Sequence, residues 1–253
     1  CDGLISEFEQ RKEEIYFGEC IMKLLIKFPT RARHDRFFEV LDMYYEKLSG
    51  EVEYEFLITC DDDDEQMNNP ETIEKLESYE NLSVYFGPRD GKVGACNRDI
   101  EKVEEYDILM QTSDDMIPIV NGFDKIIVDE MEESFPDLDG VLWFFDGHNM
   151  YTDTLCIMGR KYYERFGYVY YPEYITWFPD TEFTEVADRL DKLVFIRDTI
   201  IEHQHPDWTH AHGHSGDQIG YDELYKENDR DEDRWEDERL FEERKKNNFG
   251  LEL

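Results

Sequence analysis

The sequence predicts an α/β domain on a mostly parallel central sheet, and three observations carry that prediction. Short apolar runs alternate with segments of helical periodicity, a βαβαβ order that favours parallel strands. The polar clusters PTRAR, CDDDD, FGPRDGK and SDDM fall at the ends of the first four runs, where an open α/β sheet gathers ligands. Finally, 253 residues that are 40% hydrophobic and 15% aromatic suffice for a sizeable core.

Taken in order, residues 1–20 form a charged segment, helical or loosely attached. CIMKLLIKFP is a continuous apolar run ended by Pro29 and reads as the first buried strand. HDRFFEVLDMYYEKLSG places Phe37, Phe38, Leu41, Tyr44, Tyr45 and Leu48 on one helical face, with Gly50 as its stop. YEFLITC is a second strand, NPETIEKLESYE a helix with Pro70 near its start, and LSVYFG a third strand. VGACNRDIEKVEEY reads as a helix, DILMQTS as the fourth strand and GFDKIIVDEMEESF as a helix. DGVLWFFDG is a strand, TLCIMGRKYYERFG a strand running into a helix, TEFTEVADRLD a helix, and KLVFIRDTIIEHQHP one or two closing strands. This gives one domain over residues 21–206, a His- and Gly-containing loop at 207–221, and a charged helix or tail at 222–253 that packs across the domain.

A formal charge of −36, from 63 acidic against 27 basic residues, disfavours long duplex nucleic acid as a partner. To hold a phosphorylated ligand, such a chain needs a divalent cation or a few focused Arg and Lys residues. Cys1, Cys20, Cys60, Cys96 and Cys156 are odd in number and widely spaced, with no metal-finger pattern, and read as reduced thiols of a cytoplasmic protein. No run approaches the roughly 18 apolar residues of a membrane span.

Five sets of residues carry candidate chemistry. SDDM sets Asp114 and Asp115 on the turn after a buried strand, where carboxylates suit Mg²⁺ or Mn²⁺ shared with substrate phosphates; it also suits a turn that caps the next helix. Asp61 to Asp64 hold acids able to accept from a base N–H or ribose hydroxyls, Asp61 first and Asp63 second, or to form a charged surface turn. Arg31, Arg33, Arg89 and Lys92 supply the focused positive charge, beside the small Gly91, Gly94 and Ala95. WFPDTEF offers Asp180 and Glu182 as candidate bases, although Asp180 also suits the start of a helix. Late in the chain, EHQHP supplies His203 and His205 for a cation, and His210, His212 and His214 allow a rival zinc site.

In this order and spacing, KFPTRAR, an acidic cluster, GKVGACNRDIE, ILMQTSDDM, PDTEF and EHQHP resemble the family 2 glycosyltransferases of GT-A fold, from about Leu24 to Pro206. The resemblance implies a Rossmann-like nucleotide-diphospho-sugar transferase domain that moves a hexosyl or pentosyl unit. Pro29, Thr30 and Arg31 then line the nucleotide, Asp61 or Asp63 meets the base or ribose, and Arg89, Lys92, Asn97 and Asp114 complete the donor site. Asp115 binds the cation with His203 or His205. Ser113 stands where the family's DXD motif opens with an acid, and Pro179 where its ED pair opens with Glu, which leaves Asp180 as preferred base and Glu182 in reserve. The implied reaction uses Mn²⁺ or Mg²⁺ and a nucleotide-sugar donor, a UDP-sugar above others, and inverts in one displacement. Its partners are that donor and a hydroxyl-bearing acceptor, including modified DNA or its nucleotide as in phage enzymes. A nucleotidyltransferase on a similar acidic site and a non-catalytic acidic binding protein are the alternatives. Trp143 and Trp177 are candidates for stacking on sugar, and Asp146 and His148 for an acceptor loop.

Overall fold

The computed structural model describes residues 22–205, 222–228 and 230–252. The expected charged segment at 1–20 and loop at 207–221 fall outside the described residues, as do His210, His212 and His214. In chain order the elements are β1 (Lys23–Thr30), α1 (His34–Lys47), β2 (Glu53–Asp61), α2 (Pro70–Glu77), β3 (Leu82–Gly87), α3 (Gly91–Asn97), a 3₁₀ turn at Ile100–Lys102 and β4 (Ile108–Gln111). They continue with β5 (Met116–Pro118), α4 (Phe123–Ser134), β6 (Val141–Phe144), β7 (Ile157–Gly159), α5 (Arg160–Glu164), α6 (Pro179–Arg189), β8 (Leu193–Ile196), β9 (Ile201–His203), α7 (Glu223–Asn228) and α8 (Asp231–Lys246).

Seven strands form one sheet in the order β3-β2-β1-β4-β7-β6-β8. The first four are mutually parallel, β7 runs antiparallel to both neighbours, and β6 and β8 are parallel. Because β1 lies at the centre of the parallel set, its alternate residues feed two cores. Leu24, Ile26 and Phe28 pack with Phe37, Tyr44, Phe123 and Met131 from α1 and α4 on one face. Leu25 joins Val93, Tyr162, Phe183 and Phe241 on the other. Each large side chain so buried stabilises the fold by about 1.5–3 kcal/mol. This three-layer packing fixes the C-terminal ends of β1, β2 and β4 side by side.

Two local departures from the sequence reading have tertiary causes. The helix expected through residue 106 stops at Asn97, because Asp99 takes a left-handed φ of 72°. Its carboxylate there accepts from Thr59 Oγ1 at 2.9 Å and Lys102 Nζ at 2.7 Å, beside the buried Lys27, whose own pKa burial lowers to about 8. The stretch after SDD is a strand rather than a turn or helix start: β5 pairs antiparallel with β9, setting Met116 opposite His203. The charged tail folds into α7 and α8, and buried Asp237 of α8 accepts from the backbone N–H groups of Ile175, Thr176 and Trp177 at 2.8–2.9 Å.

Candidate functional site

A cavity of about 420 Å³ opens at the C-terminal ends of β1, β2 and β4. Eleven of the predicted residues line it: Pro29, Thr30, Arg31, Asp61, Arg89, Lys92, Asp114, Asp115, Asp180, His203 and His205. A broader cavity of about 740 Å³ on the outer side of α1 shares only Arg33 with it and gathers none of them.

The acidic end is built by the turn that follows β4. Asp115 is 6% exposed, and its Oδ2 lies 2.6 Å from the Tyr225 hydroxyl and 3.6 Å from His203 Nε2, while Ser113 Oγ donates to Oδ1. Burial works against the Asp115 carboxylate, but the His203 imidazolium and the Ser113 and Tyr225 hydroxyls hold its pKa well below the usual range. Burial likewise opposes a charged His203, yet Asp115 and Asp146 raise its pKa to about 9. Asp114 differs: burial and the neighbouring Asp115 lift its pKa to about 6 against the pull of Arg33, whose Nη1 stands 2.8 Å away. Two adjacent aspartates therefore have distinct partners, one facing a histidine and one an arginine.

The basic side comes from the β1–α1 and β3–α3 loops. Arg31 bridges Asp61 Oδ2 at 3.0 Å and Asp63, and Arg98 meets the other Asp61 oxygen at 2.9 Å. Arg33 is held by Asp222 at 2.7 and 3.0 Å and lies over the Tyr225 ring at 4.1 Å. Arg89 pairs with Glu227 at 2.5 Å. Lys92 makes no ion pair among the described residues, so its charge is available to the cavity. In effect the acids of α7 and its N-terminal flank engage two of the four cations.

Asp180 lies half-buried at the first turn of α6 and lines the cavity, its Oδ1 accepting from the Thr181 N–H at 2.8 Å. The helix-start role and the cavity-facing position coexist. Trp177 lines the same wall beneath the Arg234 guanidinium, whereas Trp143 packs on Phe195 away from it.

Three predicted residues stand elsewhere. Glu182 is 4% exposed and is locked by Arg244 at 2.6–3.0 Å and by the Tyr174 hydroxyl at 2.8 Å, so it is a packing anion rather than a reserve base. Asn97 spends both ends of its amide on the backbone of Val169 and Tyr170 at 2.7–3.0 Å. Asp63 sits on the exposed rim, its pKa lowered by its hydrogen bonds to Arg31. Conversely, Tyr225, an aromatic residue of the charged tail, is a site residue that no sequence motif marks. An aromatic residue amid carboxylates signals burial there, but not the atom it meets.

Among the described residues no three His, Cys, Asp or Glu side chains converge as a preformed metal cage. The donor set still fits a hard divalent ion that takes its remaining ligands from phosphate and water, since Mg²⁺-type sites use one or two protein carboxylates. Asp115 Oδ2 and His203 Nε2 face each other at 3.6 Å, and His203 Nδ1 is buried without a hydrogen-bond partner.

No protein-family model matches the chain, and no curated protein matches its sequence. Its fold is of the GT-A glycosyltransferase type, with a mostly parallel seven-stranded sheet. The likeness is to the mannosyltransferase PcManGT from Pyrobaculum calidifontis, solved with GDP-Man and Mn²⁺, at TM-score 0.57 and 14% identity over 82% of this chain and 66% of that one. S. aureus TarS is similar at TM-score 0.58 and 15% identity over 73% of this chain and 37% of its own. TarS 1–349 in complex with UDP is similar at 0.57 and 16% over 71% and 59%. The chain thus spans between 37% and 66% of the lengths of these structures. Among the described residues no helix is long and apolar enough to cross a membrane.

Proposed function

We propose that this chain is a divalent-cation-dependent glycosyltransferase that moves a hexosyl or pentosyl unit from a nucleotide-sugar, a UDP-sugar above others, to an acceptor hydroxyl. One observation carries the reading: within a GT-A fold, Asp114 and Asp115 of the turn after β4, Lys92 of α3, Asp180 of α6 and His203 of β9 line one cavity of about 420 Å³. Residues 21–206 form the catalytic domain on this reading, with α7 completing the cavity wall.

Asp115 and His203 would hold Mn²⁺ or Mg²⁺, and the ion would supply charge to offset that of a departing diphosphate. Arg33 and Lys92 meet the phosphate oxygens, and the Asp61 carboxylate, pinned between Arg31 and Arg98, faces the nucleoside. Asp180 accepts the proton as the acceptor oxygen bonds to the anomeric carbon and the bond from that carbon to the phosphate oxygen breaks, giving inversion. UDP, GDP and their sugars in the related structures support the donor class and belong to those proteins.

The test is a donor screen for sugar-nucleotide hydrolysis and transfer, with and without Mn²⁺ or Mg²⁺, on the parent chain and Asp115→Asn. Metal-dependent turnover that vanishes in Asp115→Asn is expected. If no nucleotide-sugar binds and no metal shifts the melting temperature, the reading is wrong.

A further inference from the structure

An imidazole that binds a cation through Nε2 must carry its proton on Nδ1, and metal-ligating histidines usually donate that N–H to a carboxylate or carbonyl. His203 Nε2 faces Asp115, so the question is what faces Nδ1. Asp146 Oδ2 lies 3.8 Å away on that side. The Asp146 carboxylate is 1% exposed and firmly held: Oδ1 accepts from the N–H groups of His148 at 2.9 Å and Asn149 at 2.6 Å, and Oδ2 from Thr154 Oγ1 at 2.9 Å. The Asp146 carbonyl also accepts from the His203 N–H at 3.0 Å, so the β6–β7 loop and the end of β9 are stitched together by main chain. Glu202, the neighbouring acid, instead lies 3.8 Å from His148 Nε2.

We propose that Asp146 is the positioning residue for the cation site, fixing the His203 ring and its Nδ1–H tautomer so that Nε2 is presented to the ion beside Asp115. The inference rests on the metal reading above. The β6–β7 loop, expected to meet the acceptor, thereby also governs cation affinity, acting only through His203.

The test is a double-mutant cycle on the full chain, with Mn²⁺ affinity in the presence of UDP read from the electron paramagnetic resonance of the free ion. Asp146→Asn, isosteric and still able to accept from His148 and Asn149, should weaken Mn²⁺ binding about 10–100-fold. In a His203→Ala background the same change should weaken it less than about twofold, because the effect has lost its carrier. A penalty undiminished in that background, or an Asp146→Asn chain that binds like the parent, overturns the inference and leaves the metal reading intact. A parent chain that binds no Mn²⁺ overturns both. Independently of any variant, imidazole ¹H–¹⁵N spectra of the parent with Mg²⁺ and UDP should show His203 protonated on Nδ1, and protonation on Nε2 sinks the proposal.

Discussion

The N-terminal and C-terminal halves of the fold are built differently, the later one adding a separate two-stranded sheet of β5 and β9 to the end of the main sheet. The N-terminal half is built on long parallel strands, with β1, β2 and β3 of 8, 9 and 6 residues beside the 4-residue β4, and its C-terminal strand ends carry the candidate donor residues. The later half has strands of only 3 or 4 residues in β5 to β9, too short to hold a loop by ladder bonds alone. Its wall of the cavity is positioned by side chains that arrive from far along the chain. Asp237 fixes the segment before α6, Arg244 locks Glu182 within it, and Tyr225 reaches Asp115. Donor-side geometry is thus a property of the sheet, whereas the wall bearing Asp180 is a property of the C-terminal helices.

The sharpest separation of the halves is functional. Asp180→Asn should lower transfer by about 10²–10⁴-fold, the usual worth of a general base. It should leave donor affinity within about threefold by calorimetry, since Asp180 stands on α6 and its carboxylate is bonded to Thr181 of that helix, apart from the β4 turn that carries Asp115. Equal losses of binding and turnover would merge the two regions into one unit.

A structural separation comes next. Arg244→Ala leaves Glu182 as a buried carboxylate without its cation, so the chain should lose roughly 3 kcal/mol in urea unfolding. Glu182→Gln should destabilise less, because it removes the charge rather than stranding it. If Glu182 were instead a reacting base, Glu182→Gln would abolish turnover in chain that remains folded, and kinetics at a permissive temperature decides between them.

Below Asp180, Asp153 offers a pH-dependent version of the comparison. It is fully buried, its Oδ2 has no hydrogen-bond partner, and burial, reinforced by Asp146 and Asp180, raises its pKa to about 8. Between about pH 4 and pH 8 the folded chain keeps this proton while the unfolded chain has lost it, so stability falls as pH rises through that window. Asp153→Asn removes the penalty: it should be near neutral at pH 4 and stabilise by at least ~1 kcal/mol at pH 8, since each pKa unit is worth about 1.4 kcal/mol. Equal unfolding midpoints of parent and variant at both pH values would show that the carboxyl is not protonated in the fold.

The same division governs what the sequence made legible. Apolar runs such as Leu24–Phe28 identify strands by themselves, and the acids and bases that follow them must lie at one sheet edge, which is where Asp61, Asp114 and Lys92 stand. Glu182 and Asn97 were misplaced because a motif gives a residue its address but not its partner. Arg244 lies 62 residues from Glu182, and Asn97 binds backbone 72 and 73 residues away. The 3-residue β5 was hidden for a related reason: it exists only because β9 pairs with it.

Tyr225 joins the halves, and removing its hydroxyl is the mildest test of their independence. Its Oη donates to Asp115 Oδ2 at 2.6 Å, the oxygen assigned to the cation, while its ring lies under Arg33 at 4.1 Å. A hydrogen bond to an ionised carboxylate contributes about 1.5–3 kcal/mol net. Tyr225→Phe retains the ring and its contact with Arg33 but releases the oxygen, so Mn²⁺ should bind at least about tenfold more tightly if the phenol competes with the ion. Weaker binding would mean that the phenol instead orients Asp115 for the cation. The C-terminal helices would then be part of the donor site itself, and the boundary between the two halves would move to the other side of the metal.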